Sequence, residues 1–236
     1  KDPRRNSRLG EVGFKVRDFE PDRLKVNLTL AEGTVAGWAR PEVVQARVLA
    51  RHLFGAPASD RRVTAEMRLS PAFPAFPQYP EYRFHVDDVL KDAVKEELPE
   101  SRTDAGGAAE LDLGLKRFAR NTYQLHVTAR VFEAQGGRNV AAEQTVLVSN
   151  APYLVGVRSP DSLDYVSKKA ARKVHLLAVG PDLKPIATDA LSLTRVEYRY
   201  VSVLVKQDNG VYKYESQRRE IVHESESIYL ATSGSE

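Results

Sequence analysis

The side chains that could do chemistry in this sequence are its five histidines, its serines and two adjacent carboxylate pairs, and the chemistry they would serve is hydrolysis. Their spacing does not assemble it. There is no G-x-S-x-G elbow, and no histidine stands in a metal spacing such as H-E-x-x-H. His52, His126 and His175 fall inside strand-like runs, where packing and surface roles are expected. Asp87-Asp88 and Glu96-Glu97 are sequence neighbours, so their side chains diverge on a helix or a strand and read as a solvated face. The sequence has no cysteine, which excludes disulfides, thiolate metal sites, a Cys nucleophile and an internal thioester within it. EF-hand and Walker sequences are absent, and Gly106-Gly107 and Gly136-Gly137 read as turns. The expectation is a chain that is not an enzyme, with no catalytic, cofactor-binding, metal or thioester residue and no cofactor.

Binding surfaces are the next possibility. Lys168, Lys169, Arg172 and Lys173 form a basic cluster that reads as a solvated loop leading into a strand. Net charge is only +3, with both signs mixed along the chain, which argues against a nucleic-acid partner. The sequon Asn27-Leu28-Thr29 falls in mid-strand and is discounted. Tyr198, Tyr200, Tyr212 and Tyr214 could form an aromatic platform, the feature that a tandem binding module, an adhesin or a polysaccharide binder, would need. The segment SPAFPAFPQYP, residues 70–80, repeats proline and aromatic residues at a spacing of three, the period of polyproline II. It is expected to be a strap over the first domain rather than a ligand for a partner. Phe73 and Phe76 would be buried, the prolines would face outward, and Tyr79 would be half-buried with its hydroxyl at the edge.

The elements that would position these residues are mostly strands. Residues 23–30 (RLKVNLTL) and 123–132 (YQLHVTARVF) alternate apolar and polar positions, and residues 139–148 read as the hairpin partner of the latter. Residues 13–19, 41–54, 63–69, 173–179, 191–206 and 211–218 read as further strands. Residues 87–97 (DDVLKDAVKEE) have helical spacing. Asp208-Asn209-Gly210 predicts a two-residue Asn-Gly hairpin, with Val205 facing Tyr214 and Val203 facing Ser216. The pattern resets at Asn150-Ala151-Pro152. This predicts an all-β chain of two antiparallel sandwich domains with at most one short helix. The domains are 9–150, with a long Pro/aromatic insertion near 70–105, and 152–236, shortened at its C-terminal end. The polar, basic start has no signal-peptide apolar region, and no run approaches the roughly 20 apolar residues of a membrane span.

Several stretches resemble one family. LFGAPASDRRV (residues 53–63) is similar to a corner repeated in the macroglobulin domains of alpha-2-macroglobulins. FEPDRLKVNLTL (19–30), FPQYPEYRF (76–84) and ELPESRTDAGGAAELDL (97–113) resemble one such domain of the bacterial branch. PYLVG (152–156), LAVGPDLKPIA (177–187) and RYVSVLVKQDNGVYKYES (199–216) resemble the next. The resemblance implies the fifth and sixth macroglobulin domains of a larger periplasmic peptidase trap, anchored as an inner-membrane lipoprotein outside this segment. It also implies peptidases, adjoining macroglobulin domains and other cell-envelope proteins as partners. Glu143-Gln144 is not the family's thioester sequence, since its cysteine is absent.

Overall fold

The computed structural model describes residues 23–30, 36–84, 93–118, 121–134, 137–160, 172–208 and 210–235. The described chain is all-β, as expected, and its strands pair antiparallel. Strands β1 (Leu24–Thr29), β2 (Ala46–His52), β3 (Arg62–Pro71), β4 (Arg83–Phe84), β5 (Val94–Arg102), β6 (Ala108–Leu111), β7 (Tyr123–Phe132) and β8 (Asn139–Val148) precede the reset at Asn150. A 3-10 turn spans Leu115–Phe118. Beyond the reset lie β9 (Leu154–Arg158), β10 (His175–Val179), β11 (Thr188–Lys206) and β12 (Tyr212–Leu230).

A three-stranded sheet, β1-β2-β6, and a four-stranded sheet, β5-β3-β7-β8, enclose the first core. Alternation fills it. Val63, Ala65, Met67 and Leu69 of β3 and Leu125, Val127, Ala129 and Val131 of β7 point inward, opposite Leu24 and Leu28 of β1 and Val48 and Ala50 of β2. The outward positions are polar: His126 bonds Thr145 at 2.9 Å, and Lys95 pairs Glu66 at 2.8 Å.

Two sequence expectations are corrected here. The helical reading of residues 87–97 fails over its second half: Val94 to Glu97 begin strand β5, which pairs with β3. Pairing with a core strand overrides a weak helical pattern. Pro99, which no central strand tolerates, sits in this edge strand opposite a register shift between Val63 and Ala65. Asp87-Asp88, the strand expected at 13–19, and Lys168 and Lys169 lie outside the described residues.

The second correction is the register of the last hairpin. Val205 faces Lys213, Leu204 faces Tyr214 and Val203 faces Glu215, one residue away from expectation. The loop holds three residues, not two. Gln207 N donates to Val211 O at 2.8 Å and Gly210 N to Gln207 O at 2.9 Å, with Gly210 left-handed at φ 80°. That is a turn followed by a left-handed glycine, the common three-residue hairpin.

Candidate functional site: an aromatic joint and a tyrosine-bearing ribbon

The segment around Gly37 leaves the first unit and docks on the loop after β10. Gly37 N donates to Pro181 O at 3.1 Å. A side chain at this position would meet that carbonyl at 2.7 Å and Leu183 Cδ2 at 2.8 Å, so the close approach requires glycine. Ala39 then runs beside Val148, with Ala39 N donating to Leu147 O and Ser149 N to Ala39 O. Between them Trp38, the single tryptophan, is 1% exposed, and its indole N–H donates to Ala151 O at 3.1 Å.

The Pro/aromatic strap completes the joint and corrects the expectation made for it. Its buried positions are Ala72, Pro74 and Phe76, a period of two, so Phe73 turns outward at 73% exposure and Pro74 turns inward. The segment continues the β3 alternation instead of coiling as polyproline II; Ala72 N still bonds Thr122 O at 3.1 Å. Nor does Phe76 cover the first core. It packs with Trp38, Phe84, Leu154, Leu177, Val179 and Leu183 in a second, separate cluster. Phe76 meets Phe84 edge-on at 4.9 Å and Trp38 at 6.3 Å. After Phe76 the chain turns twice, at Tyr79 and at Tyr82, and β4 pairs with β9. Phe84 lies across from Gly156, whose missing side chain makes the seat: a Cβ there would sit 2.9 Å from the Phe84 ring. Tyr79 is half-buried, as expected, and its hydroxyl donates to Leu183 O at 2.8 Å. Leu183 is itself left-handed, at φ 60°, uncommon for a leucine, at the last position of a turn closed by Leu183 N to Gly180 O and Gly180 N to Lys184 O. At the rim Arg158 pairs Glu81 at 2.6 Å and lies over Tyr82.

Strands β11 and β12 form a two-stranded ribbon of 19 residues each, about 60 Å long at roughly 3.3 Å per residue. Its root is fixed by fully buried Leu230 and by Leu176, which exchanges backbone hydrogen bonds with Ser235. In this register Tyr198, Tyr200 and Leu204 face Glu220, Arg218 and Tyr214, and Tyr212 faces Lys206. All four tyrosines therefore share one face, and all are exposed, with the Arg218 guanidinium 4.7 Å from the Tyr198 ring centre. Val201, Val203, Val205 and Ile221 line the opposite face, half-buried. A register shift after Arg195 leaves His223 unpaired in the ladder, and its Nε2 lies 2.8 Å from Glu197. Hydrogen bonds from Arg199 and His223 hold the Glu197 carboxyl at a pKa of about 2.

The other sequence-singled residues stay apart. His52 stacks on exposed Phe54, His126 lies on the outer face of β7, and His175 begins β10. Glu143-Gln144 sits in β8, and Arg172 and Lys173 precede β10. Among the described residues no group of three His, Cys, Asp or Glu could hold a metal ion, and no helix is long and apolar enough to cross a membrane. Gly37, Trp38 and Gly156 were not anticipated. Trp38 is the single tryptophan of the sequence, a signal that could have drawn attention to it, but nothing local says which core it fills.

The sequence model of the bacterial alpha-2-macroglobulin MG5 domain matches residues 22–149. The alpha-2-macroglobulin homolog of Yersinia pestis is 42% identical over 228 residues, 97% of this chain and 11% of that protein. Among solved structures, the native conformation of E. coli alpha-2-macroglobulin matches with a TM-score of 0.61 at 19% identity, over 94% of this chain and 14% of that one. Escherichia coli alpha-2-macroglobulin activated by porcine elastase matches with a TM-score of 0.60 at 20% identity, over 91% of this chain and 19% of that one. The chain thus spans about a tenth to a fifth of the length of the proteins it matches, and the structural matches speak to the fold alone.

Proposed function

This chain belongs to the bacterial alpha-2-macroglobulin family, and on that premise we propose that it is a non-catalytic scaffold segment of a peptidase-trapping protein. Residues 9–150 are the fifth macroglobulin domain and 152–236 belong to the sixth. The parent works in the periplasm, held by a lipid anchor outside this segment. A peptidase that attacks the parent is enclosed by rearranging domains, and these two keep their mutual position while it happens. The observation that carries this reading is the joint. A scaffold needs neighbouring domains held in one orientation, and Trp38, Phe76 and Phe84 do that with buried aromatic surface. An Escherichia coli relative was solved in an elastase-activated form, which supports peptidases as the partners of the whole protein.

The test is made in the full-length parent. Replacing Gly37 with leucine drives a side chain into Pro181 and Leu183. Enclosure of a trypsin-class peptidase, read as protection of casein from the mixture, should be lost or strongly reduced. Undiminished protection would contradict the scaffold role. The purified segment should not hydrolyse casein, esters or glycosides above a buffer control.

One observation favours a second reading, a tandem binding module of the cell envelope. Tyr198, Tyr200, Tyr212 and Tyr214 share an exposed face. Retention of the segment on immobilised cell-wall polysaccharide, lost in a Tyr200→Ala/Tyr214→Ala variant, would establish it.

A further inference from the structure

We infer that the dependence between the two units runs one way: the unit after Asn150 folds only on the preceding unit, whereas the preceding unit folds without it. The inference does not depend on what the parent traps. Every buried residue of the first core lies between Leu24 and Val148, and so does every half-buried residue packed against it. Among the described residues, the first core takes nothing from beyond the reset. The second core is built differently. Leu154, Leu177, Val179 and Leu183 come from the later unit, but Trp38, Phe76 and Phe84 come from the earlier one and are its bulkiest members. Without those rings, the buried apolar side chains of the later unit among the described residues are Leu154, Leu177, Ala178, Val179, Leu183 and Leu230, over two two-stranded pairs, β9 with β10 and β11 with β12, too little for independent stability.

The backbone follows the same direction. β4 is the edge strand that makes this pair a three-stranded sheet, and it is supplied by the earlier unit. The loop at Pro181–Leu183 is held by Gly37 and by the Tyr79 hydroxyl, both from the earlier unit. The loop also closes on itself, Gly180 N donating to Lys184 O and Leu183 N to Gly180 O, both at 2.9 Å, and the outside contacts fasten that turn to the earlier unit. The strap thereby serves as a template: order in residues 72–84 precedes order in β9 and β10.

Two readouts on the intact chain separate the cores. Emission from Trp38 reports the second, and hydrogen exchange of peptides from β3 and β7 reports the first. In urea, Trp38 should become solvent-exposed at concentrations where β3 and β7 are still protected, or together with them, and never after them. Phe84→Ala should lower the Trp38 midpoint by about 1–2 M urea, from the usual cost of truncating a buried Phe and a typical urea slope. Protection of β3 and β7 should stay in place; Phe84→Leu, a milder change, should do the same to a smaller degree. Leu125→Ala or Val127→Ala, in the first core, should bring down the Trp38 midpoint wherever the first core falls below it. A chain unprotected in β3 and β7 from the start must show exposed Trp38. Native Trp38 emission under any condition where β3 and β7 exchange freely would overturn the inference. So would equal loss of both signals in both Phe84 variants, since the dependence would then run both ways.

Discussion

The joint and the ribbon use the same kinds of residue and treat them oppositely. At the joint, Phe76, Phe84 and Trp38 are buried against one another and against aliphatic side chains from distant segments. On the ribbon, Tyr200 and Tyr214 are 72% and 73% exposed, and among the described residues the strands that carry them pair only with each other. Composition does not account for the contrast. What separates the two regions is what approaches them. The joint has glycines at the two places where backbone must come close, Gly37 and Gly156, and small Ala72 beside its turning strap. The ribbon has apolar residues on both faces, and among the described residues no third strand pairs with it. Buried aromatic contact here is a product of close backbone approach, and ring content alone does not produce it.

The largest effect should come from Phe76→Ala. Truncating a buried Phe costs about 3–5 kcal/mol, against no more than about 0.5 kcal/mol for the outward Phe73. The pair Phe76→Ala and Phe73→Ala therefore reads the period of the strap directly, by thermal unfolding followed at Trp38. A period-three strap would make the two variants alike. Next comes Gly156→Val, which forces a side chain into the Phe84 ring and should cost about 1–3 kcal/mol by overpacking. The same change at Gly210, where a Cβ meets nothing within 4 Å, strains only the turn, since its φ is 80°; Trp38 emission should not register it. Tyr79→Phe removes the hydrogen bond to Leu183 O and should cost about 0.5–1.5 kcal/mol, checked by the same melt. Smallest is the ribbon: Tyr200→Ala should move stability by no more than about 0.5 kcal/mol. A larger loss would show that the exposed face is already in contact with something.

The ribbon also has the clearest electrostatic signature. Glu197 titrates at about 2, below its ordinary 4.5, because Arg199 and then His223 bond its charged form. A depressed carboxyl favours the folded state above its unfolded value and loses that contribution as pH falls from about 4.5 through about 2. The group is fully exposed, so salt will screen the effect. Titration of the Glu197 carboxyl by NMR should show the low value, and Arg199→Ala should raise it toward the ordinary one. A Glu197 that titrates normally in the parent chain would mean that the ion cluster does not hold in solution.

Much of the first unit was legible. Strands β7 and β8 begin and end where alternation starts and stops, at Tyr123, Phe132, Asn139 and Val148. Strand β5 was misread because four residues, Val94 to Glu97, fit both periods until β3 is placed beside them. The strap was misread because prolines and aromatics at spacing three suggest a coil, while burial at Ala72, Pro74 and Phe76 is set by the extended path leaving β3. The hairpin register was missed because Asn-Gly marks a turn without fixing its length; one added residue moved every pair. The joint was the least legible part. Its members are separated by up to 145 residues, Trp38 to Leu183, and no local pattern links them.

Native-state hydrogen exchange on the intact chain is the most direct test of the contrast between joint and ribbon. The amide of Gly37, which bonds Pro181 O across the joint, and the ladder amides between β4 and β9 should exchange only through cooperative opening of the second core or of the whole chain. Amides of residues 196–206 should exchange much faster, through local fraying from the ribbon tip. Joint amides that exchange as fast as those of the ribbon would mean that the aromatic cluster does not bind the two units together.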